Sequence, residues 1–363
     1  MKIVFSKNLS KKEHEDYLEE IGNYQIYHTE KLLNYYFYTS EIDDKSFFII
    51  EKDKPLAFTP LGITKEDNSS SLSFSNGACH TPIISHDMTS QRKRKLYKKL
   101  YSIIHKTGVE HKCKSFEFFF HPIRFLKGQC RIDYKDSMKI LSYFDVSYVV
   151  INTNIIDLNL SHENLFMNVR RAMRTEFRTK KYEELEFFKI NSQNSTKDQI
   201  KDFFNLYRKY HFISADKQTR KDSSWEYMLS LLFENKADLF AIRRLEDKKF
   251  LSFLYCFKEK NFAIGASQVN ITDSQDLKRY SLRSFIEYKT IEYYKNNNFR
   301  FYEVGQTYYY DKDFKSFTEK HKRVGLTKLQ FGGDLYPRFY FKLDFDKDSI
   351  FNKKHKFIVE NDF

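Results

Sequence analysis

Three strand-like segments in succession, followed by a helix and one more strand, form the pattern that most constrains the fold of this chain. The strand-like segments read ADLFAIRRLE, FLSFLYCFKEK and NFAIGASQVN. YSLRSFIEYKTIEYYKNN then has the spacing of a helix, and the strand FRFYEVG follows it. Meandering antiparallel strands with a helix before the next strand predict a mixed α/β sheet flanked by helices.

The first half of the chain shows a shorter version of the same order. SFFIIEKDKPLAFTPLGI (46–63) predicts two strands around a charged turn, and QRKRKLYKKLYSIIHKTG (91–108) predicts a helix. YFDVSYVVINTNIIDL (143–158) predicts a long strand that leaves one domain and enters the next. Because 363 residues are many for one core, we expect two similar tandem domains. Their predicted bounds are 1–155 and 156–363, with the active cleft in the second.

Charge and cysteine content narrow the functional classes. The net charge of +13 favours anionic partners, although a lysine-rich composition accounts for part of it. The four cysteines lack C-x-x-C spacing, and no histidine cluster completes a zinc pattern, so we expect reduced thiols and no metal. The early polar residues do not resemble a signal peptide, and no apolar run is long enough to cross a bilayer. These features predict a cytoplasmic protein without stable membrane insertion.

The segment SHENLFMNVRRAMRTEF (161–177) predicts one amphipathic helix that Ser161 caps. Its buried stripe recurs every four residues and comprises Leu165, Val169, Met173 and Phe177. The basic residues off this stripe are Arg170, Arg171 and Arg174. They form either a solvated helix surface or a group that neutralises a phosphate-bearing ligand at the border of a cleft.

ISADKQTRKDSSWEYM (213–228) is the most distinctive polar segment, and it contains the only tryptophan. One interpretation makes it an exposed substrate-binding loop, with Asp216, Lys217, Arg220 and Trp225 at the site. The other makes it a solvated connection in which Ser223 or Ser224 caps the next helix and Trp225 anchors that helix in the core. The sequence favours neither over the other.

FYEVGQTYY (301–309) places polar residues at the end of a predicted strand. Gly305 permits a close backbone approach or a positive φ, so Glu303 and Gln306 would face a cleft, with Tyr308 beside them. The alternative is an edge-strand exit whose polar groups are satisfied locally.

ASQVNITDSQDLKRYSLRSF (266–285) contains a strand end, a loop and the start of a helix. The residues that could contact a cofactor or acyl donor here are Gln268, Tyr280 and Ser281, because a helix N-terminus favours phosphate or an oxyanion. For Ser281 alone, a simple helix cap is the favoured interpretation.

Other catalytic patterns are absent from the sequence or weak. Cys79 and His80 are adjacent, but neighbours on a strand point to opposite faces, which favours a turn over a nucleophile pair. The chain contains no G-x-x-x-x-G-K-[ST], G-x-S-x-G or H-E-x-x-H motif. We therefore expect that neither a cysteine nucleophile nor a metal takes part in the activity.

Three segments in this order resemble the Fem-type, double-GNAT acyltransferases, including the acetyltransferase-like proteins of surface-polysaccharide loci. They are NVRRAMRTEF, SADKQTRKDSSWEYM and YSLRSFIEYKTIEYYKNNNFRFYEVGQTYY, and the resemblance is clearest over 160–340. It implies two tandem GNAT-like domains with mixed, mostly antiparallel sheets. It also implies transfer of an acyl group from acyl-CoA to an amine of a nucleotide sugar or glycan precursor, with no permanently bound cofactor.

The resemblance assigns roles to residues singled out above. Glu303 would be the catalytic base, with Gln306 and Tyr308 as positioning groups, while Lys217 and Arg220 would hold the anionic substrate. On the acyl-donor side it places Gln268, Tyr280, Ser281 and Gly305.

One departure keeps other functions open. The GNAT pyrophosphate loop, Q/R-x-x-G-x-G/A, is missing before the helix at 281, where the sequence reads DSQDLKRYSL. A longer donor, aminoacyl-tRNA, is therefore the first alternative, and the basic charge favours it. A non-catalytic nucleic-acid-binding module is the second, although the basic residues are dispersed.

Overall fold

The chain is described from a computed structural model that covers residues 1–39, 42–66, 69–73, 79–121, 123–126, 129–132, 147–271, 273–307 and 319–345. It divides into two compact units. The first begins at Met1, extends to Val150, and is completed by the segment that starts at Pro337; the second is Ile151–Tyr336. The return of the chain to the first unit was not anticipated from the sequence, and the domain bounds of 1–155 and 156–363 stay a prediction.

The elements up to the second unit are, in chain order, β1 (Lys2–Phe5), α1 (Lys11–Ile21), α2 (Glu30–Thr39), β2 (Ile42–Asp44), β3 (Phe47–Glu51), β4 (Lys54–Thr59), β5 (Gly62–Glu66), β6 (Ser69–Leu72), β7 (Cys79–His80), β8 (Ile83–Ile84), α3 (Ser90–Glu110), β9 (Cys113–Phe120), β10 (Ile123–Leu126), β11 (Gln129–Ile132) and β12 (Ser147–Asp157).

The elements that follow are α4 (His162–Asn168), α5 (Arg171–Phe177), β13 (Leu185–Ile190), α6 (Lys197–Ala215), α7 (Asp222–Phe233), β14 (Ala237–Arg244), β15 (Phe250–Glu259), β16 (Phe262–Asn270), α8 (Ser274–Arg279), α9 (Leu282–Asn296), β17 (Phe301–Thr307), α10 (Glu319–Lys328) and β18 (Asp334–Asp344).

The described part of the first unit contains two larger sheets with helices against them, and β10 and β11 form a separate antiparallel pair. One is antiparallel, in the order β1-β3-β4-β8. In the other, β9 pairs antiparallel with β18 and parallel with β6 and β7, and β6 continues to β5 and β2. α1 packs its buried His14 edge-on against Phe48 and Phe58.

The second unit is built on one sheet in the order β13-β14-β15-β16-β17-β12. Its neighbours are antiparallel except for β16 and β17, which are parallel. α9 covers the sheet with Ile286, Ile291 and Tyr294, and these side chains pack into a core with Phe240 and Leu254. Two mixed α/β units with mostly antiparallel sheets confirm the fold class predicted from the sequence.

The segment predicted as one helix over 161–178 is two short helices, α4 and α5. Val169 is extended between them (φ −66°, ψ 139°), although it and Met173 are still buried. The Arg174 guanidinium donates to the carbonyl oxygens of Met167 and Val169, the latter at 2.6 Å. It thus satisfies carbonyl groups that the end of α4 leaves open, which stabilises the break.

The polar segment 213–228 extends into α7 and contains Trp225, which one interpretation of the sequence made the core anchor of that helix. Trp225 is buried, and its ring meets those of Phe204 and Tyr207 edge-on. Lys221, rather than Ser223 or Ser224, is the residue that precedes the helix, and Ser224 is fully buried.

Candidate active site

The parallel strands β16 and β17 separate part-way along their length. They pair at Phe262–Phe301, Ala263–Tyr302 and Ile264–Glu303, and their register ends there. Beyond Ile264, β16 continues beside β15 to Asn270, while β17 continues beside β12 to Thr307. The facing edges of the two strands are therefore open to whatever fills the gap.

A β-bulge on each strand opens this gap. The register of β15 with β16 passes from Cys256–Gly265 to Tyr255–Ser267, so Ala266 is the extra residue. On β17 the register with β12 passes from Ile155–Glu303 to Asn154–Gly305, so Val304 is extra. Bulges bend the strand and increase its twist. Because both occur directly after the last parallel pair, the strands diverge at one point.

A cleft of about 550 Å³ lies in the gap, a size typical of small-molecule sites. One wall is the length of β16 from Gly265 to Ile271, and Val304 of β17 lies opposite. α9 contributes Arg283 and Glu287. The other residues that line it are Ser214, Leu254, Leu277, Val324, Thr327, Lys328 and Phe331.

Glu287 is the acidic residue among the side chains that line the cleft. It is 7% exposed, and the Tyr302 hydroxyl donates a hydrogen bond of 2.6 Å to its Oε1. Burial raises the pKa of the Glu287 carboxyl, while the bond from Tyr302 and the charges of Lys328 and Arg283 oppose that rise. A carboxylate whose pKa is raised in a cleft is suited to accept a proton.

Gly265 makes room for this pair. A Cβ at Gly265 would lie 2.7 Å from the Tyr302 hydroxyl oxygen and 3.2 Å from Glu287 Oε1. The missing side chain therefore lets the tyrosine hydroxyl reach the carboxylate directly below β16.

Two cations border the same cleft. The Lys328 ammonium donates to the Gln306 carbonyl oxygen at 3.0 Å, and Arg283 lies one turn before Glu287 on α9. Lys328 can approach β17 because Gly305, with φ +111°, has no side chain: a Cβ there would lie 2.8 Å from Nζ. Among the residues that the structure describes, the cleft thus combines the Glu287 carboxylate with the positive charges of Arg283 and Lys328.

Solved structures share this architecture. FemX matches with a TM-score of 0.58 at 10% identity, over 94% of this chain and 97% of FemX. The L-PGS structure from Bacillus licheniformis has a TM-score of 0.54 at 10% identity and covers 97% and 96% of the two chains. A tandem GNAT protein from the clavulanic acid biosynthesis pathway has a TM-score of 0.52 at 8% identity, over 95% and 98%. The chain has the Fem-type, tandem-GNAT fold.

The likeness is one of fold. The sequence matches no protein-family model and no curated protein. The roles of individual residues in this Fem-type fold therefore rest on the geometry of the chain itself.

Two of the residues predicted to be catalytic, Glu303 and Gln306, are not among the described residues that line the cleft. Glu303 is 1% exposed, and it accepts a hydrogen bond of 2.6 Å from the Thr153 hydroxyl. The backbone carbonyl of Gln306 accepts the hydrogen bond from the cleft lysine, Lys328. Tyr308 lies outside the described residues.

The polar segment 213–228 reaches the cleft at Ser214, which lines it, and at Arg220, which bonds to a lining residue. Arg220 donates to the Ser267 hydroxyl at 2.9 Å, and its guanidinium lies 4.9 Å from the Trp225 ring centre. Ser267 lines the cleft. Asp216 and Lys217 are exposed and do not line it. Arg220 is half-buried, so the expectation of an exposed loop arginine is wrong.

His211 shares this rim with Arg220. Its Nε2 lies 3.2 Å from the Ser267 hydroxyl oxygen. Burial, together with the charge of Arg220, lowers the pKa of His211 to about 4, so the ring is neutral near pH 7.

Of the predicted donor-binding residues, Gln268 lines the cleft, where its amide donates to the Arg283 carbonyl oxygen at 3.0 Å. Tyr280 and Ser281 instead bond to α5 and to the residues that follow it. The Tyr280 hydroxyl donates to Glu184, and the Ser281 hydroxyl donates to Glu176 at 2.8 Å.

The arginines of the 168–178 segment do not line the cleft either. Arg170 and Arg171 are exposed, and the Arg174 guanidinium is used in the break between α4 and α5. Of the predicted site residues, Gln268 lines the cleft, Arg220 bonds to the lining residue Ser267, and Gly305 lies beside Lys328. The arginines Arg170, Arg171 and Arg174 lie elsewhere.

Two features of the sequence point to Glu287, although neither was used to predict the site. Glu287 precedes Thr290, Ile291 and Tyr294 at helical spacing, so it belongs to the buried stripe of α9. A carboxylate on a buried stripe needs a partner or a function. Gly265 inside a strand was a second signal, because such glycines mark bulges and close approaches.

The three cysteines whose side chains the structure describes, Cys113, Cys130 and Cys256, are buried. The Cys256 Sγ lies 4.0 Å from the Tyr302 hydroxyl oxygen, and burial raises the pKa of this thiol well above its ordinary value. Burial also raises the pKa of the Cys113 thiol to about 11. The side chain of Cys79 lies outside the described residues. Among the residues that the structure does describe, no group of three or more His, Cys, Asp or Glu side chains could hold a metal ion. Within the same residues, no helix combines the length and the apolar character that crossing a bilayer requires.

Proposed function

We propose that the protein is an N-acyltransferase whose reaction takes place in the cleft between β16 and β17. The observation that carries the proposal is the position of Glu287, a buried carboxylate with a raised pKa at the point where two bulged parallel strands separate. The fold shared with FemX and the tandem GNAT protein supports a transferase of this class.

The chemistry is attack of an amine on a thioester or ester carbonyl. A C–N bond forms, the C–S or C–O bond breaks, and the amine proton passes to the Glu287 carboxylate. The proton then leaves with the departing thiol or hydroxyl. The negative charge that develops on the carbonyl oxygen is met by Lys328 or by N–H groups on the open edge of β16, since both border the cleft.

The first candidate reaction uses acyl-CoA as the donor and an amine of a nucleotide sugar or glycan precursor as the acceptor. Arg283 and Lys328 supply two cations for phosphate groups, and Arg220 adds a third at the rim through its bond to Ser267. The family resemblance assigned the role of base to Glu303; Glu287 takes that role in this proposal because it lines the cleft.

A second candidate uses aminoacyl-tRNA, and the N-terminal end of α9 favours it. The backbone N–H of Ser281 donates to the Tyr182 hydroxyl at 2.9 Å, and the Glu176 carboxylate accepts from both Tyr182 and Ser281. A carboxylate at this helix end disfavours a pyrophosphate, because like charges repel. An aminoacyl ester, which brings no pyrophosphate to this point, avoids that repulsion.

Two donor assays distinguish the candidates. Purified protein is incubated with acetyl-CoA or with aminoacyl-tRNA in the presence of amino-sugar nucleotides, and products are identified by mass spectrometry. We expect an amide product with one donor class. Glu287→Gln should lower kcat by about 10²- to 10⁴-fold, the usual contribution of a general base.

Glu292→Gln is the matched control. Glu292 is also on α9, but it is bonded to Tyr288 and Lys289 and does not line the cleft. It should leave kcat unchanged. Because the pKa of Glu287 is raised, activity should decline with falling pH before an ordinary glutamate would be protonated. Transfer that Glu287→Gln does not slow would refute its role, and no product with either donor would refute the proposed function.

A further inference from the structure

The edge strand of the first unit exposes apolar side chains in alternation. β1 pairs with β3 in the sheet order β1-β3-β4-β8, so no strand of the described residues pairs with its other edge in that sheet. Ile3 and Phe5 are 38% and 41% exposed, and Met1 is 44% exposed. Residues two apart on a strand point to the same face. Ile3 and Phe5 therefore lie on one face of β1, and the exposed Met1 directly precedes the strand. We call these three residues the apolar row.

The neighbouring helix α3 presents unpaired positive charge. Its inner face is made by Leu96, Leu100 and Ile104, which are buried. Arg94, Lys95 and Lys98 are exposed. Their side chains make no ion pair or hydrogen bond within the part of the chain that the structure describes.

Two side chains tie the helix to the strand pair. The Lys99 ammonium donates to the Met1 carbonyl oxygen at 3.2 Å. Arg92 forms an ion pair with Glu51, the last residue of β3. The apolar row and the unpaired cations therefore lie on adjoining parts of one unit. We call them together the α3–β1 surface: Met1, Ile3 and Phe5 with Arg94, Lys95 and Lys98.

One acidic residue lies against this part of α3, and it is already paired. Glu51 forms an ion pair with Arg92. Since no described acidic side chain pairs with Arg94, Lys95 or Lys98, these three keep their charge available for an external anion.

We propose that the α3–β1 surface docks the protein on an anionic lipid bilayer. Unpaired Lys and Arg side chains are attracted to acidic headgroups, and exposed apolar side chains beside them can enter the boundary between headgroups and acyl chains. The phosphate backbone of an RNA would use the cations, and a base could stack on Phe5, but Met1 and Ile3 are aliphatic and offer no stacking face. The combination of the two features therefore favours a membrane surface over a nucleic acid.

Vesicle flotation with the full chain tests the proposal. We expect binding to vesicles of phosphatidylcholine with phosphatidylglycerol and little binding to phosphatidylcholine alone. Each cation close to an anionic membrane strengthens binding by roughly fivefold, so Arg94→Gln, Lys95→Gln and Lys98→Gln together should weaken it about 100-fold. Ile3→Thr with Phe5→Thr should weaken it as well, at unchanged net charge.

A charge-matched variant separates local docking from a general effect of net charge. Lys201, Lys209 and Lys278 are exposed in the second unit, and changing all three to Gln removes the same charge. That variant should bind vesicles like the wild type. Equal losses in the two triple variants would overturn the proposal, as would binding that the α3 triple leaves intact. Loss of binding to a structured RNA in the α3 triple, with vesicle binding retained, would overturn it in favour of RNA.

The transferase assay is independent of this outcome. The α3 triple should keep its activity on soluble substrates, since none of the changed residues lines the cleft. A protein that binds vesicles but transfers no acyl group would refute the proposed function and leave the docking surface standing.

Discussion

Gly265→Ala tests whether the contact among Gly265, Tyr302 and Glu287 is as tight as the structure indicates. The added Cβ would lie 2.7 Å from the Tyr302 hydroxyl oxygen, which is below any ordinary contact distance. Tyr302 is fully buried, so the ring cannot swing into solvent. Either the hydroxyl leaves Glu287 or β16 moves.

The magnitude follows from two opposing effects. Overpacking a buried site costs about 1–3 kcal/mol. Gly265 does not have a positive φ, so alanine is tolerated by the backbone and gains about 0.4–1 kcal/mol by restricting the unfolded chain. We therefore expect Gly265→Ala to lower the free energy of unfolding by about 1–2 kcal/mol in the wild-type background.

A double-mutant cycle with Tyr302→Phe isolates the clash. Without the hydroxyl, the nearest atoms to the new Cβ are Glu287 Oε1 at 3.2 Å and Tyr302 Cζ at 3.5 Å. In this background Gly265→Ala should be neutral or should stabilise by up to about 1 kcal/mol. The coupling between the two changes should therefore be at least about 1 kcal/mol, which is characteristic of residues in contact.

Urea unfolding of the four proteins, followed by circular dichroism, measures the cycle. Ala266→Ser is a control, since Ala266 is exposed and next in sequence. If Gly265→Ala lowers the free energy of unfolding equally in both backgrounds, the Tyr302 hydroxyl is not the obstacle. The contact described among Gly265, Tyr302 and Glu287 would then be wrong.

Two further predictions concern other parts of the chain. Arg220→Ala should raise the KM for an anionic substrate roughly 10- to 150-fold, because it removes a charge-assisted contact worth about 1.5–3 kcal/mol. Arg220→Lys should recover only part of this loss, since lysine lacks the planar guanidinium. An unchanged KM would mean that Arg220 contacts only Ser267 and Trp225 and no substrate. Burial lowers the pKa of His14 to about 4 from an ordinary 6.5, so the unfolded chain binds this proton more readily and stability, full above pH 6.5, declines as the pH falls toward 4. Between pH 7 and pH 5 the free energy of unfolding should fall by about 2 kcal/mol from His14 alone. His14→Gln should reduce that slope in chemical denaturation by the His14 share, and the rest should persist because burial also lowers the pKa values of His28, His80 and His211. His111→Gln, at an exposed position, should leave the slope as it is.

The fold class was accessible from the sequence because it depends on local periodicity and on the order of elements. The three strands over 237–270, the helix at 282 and the strand at 301 appear where the pattern predicted them. Local periodicity and the order of elements can each be identified from residues that are close together in the chain.

The break between α4 and α5 shows the limit of periodicity. The four-residue spacing of Leu165, Val169 and Met173 describes buried positions equally well for one helix or for two that share a face. What decides the break is the extended backbone at Val169, and the Arg174 guanidinium that bonds the freed carbonyl groups. Such a capping contact leaves no distinct pattern in the sequence.

The cleft itself was decided by tertiary structure. Glu303 and Val304 are neighbours on one strand, and the bulge at Val304 determines which side chain meets the cleft. Composition and spacing cannot reveal that choice, because shifting a strand by one residue exchanges its two faces. The sequence by itself determined two α/β units and a polar strand end near 303. Only the pairing of β16 with β17, with bulges on both strands, brought Glu287 of α9 and Lys328 of α10 to one cleft.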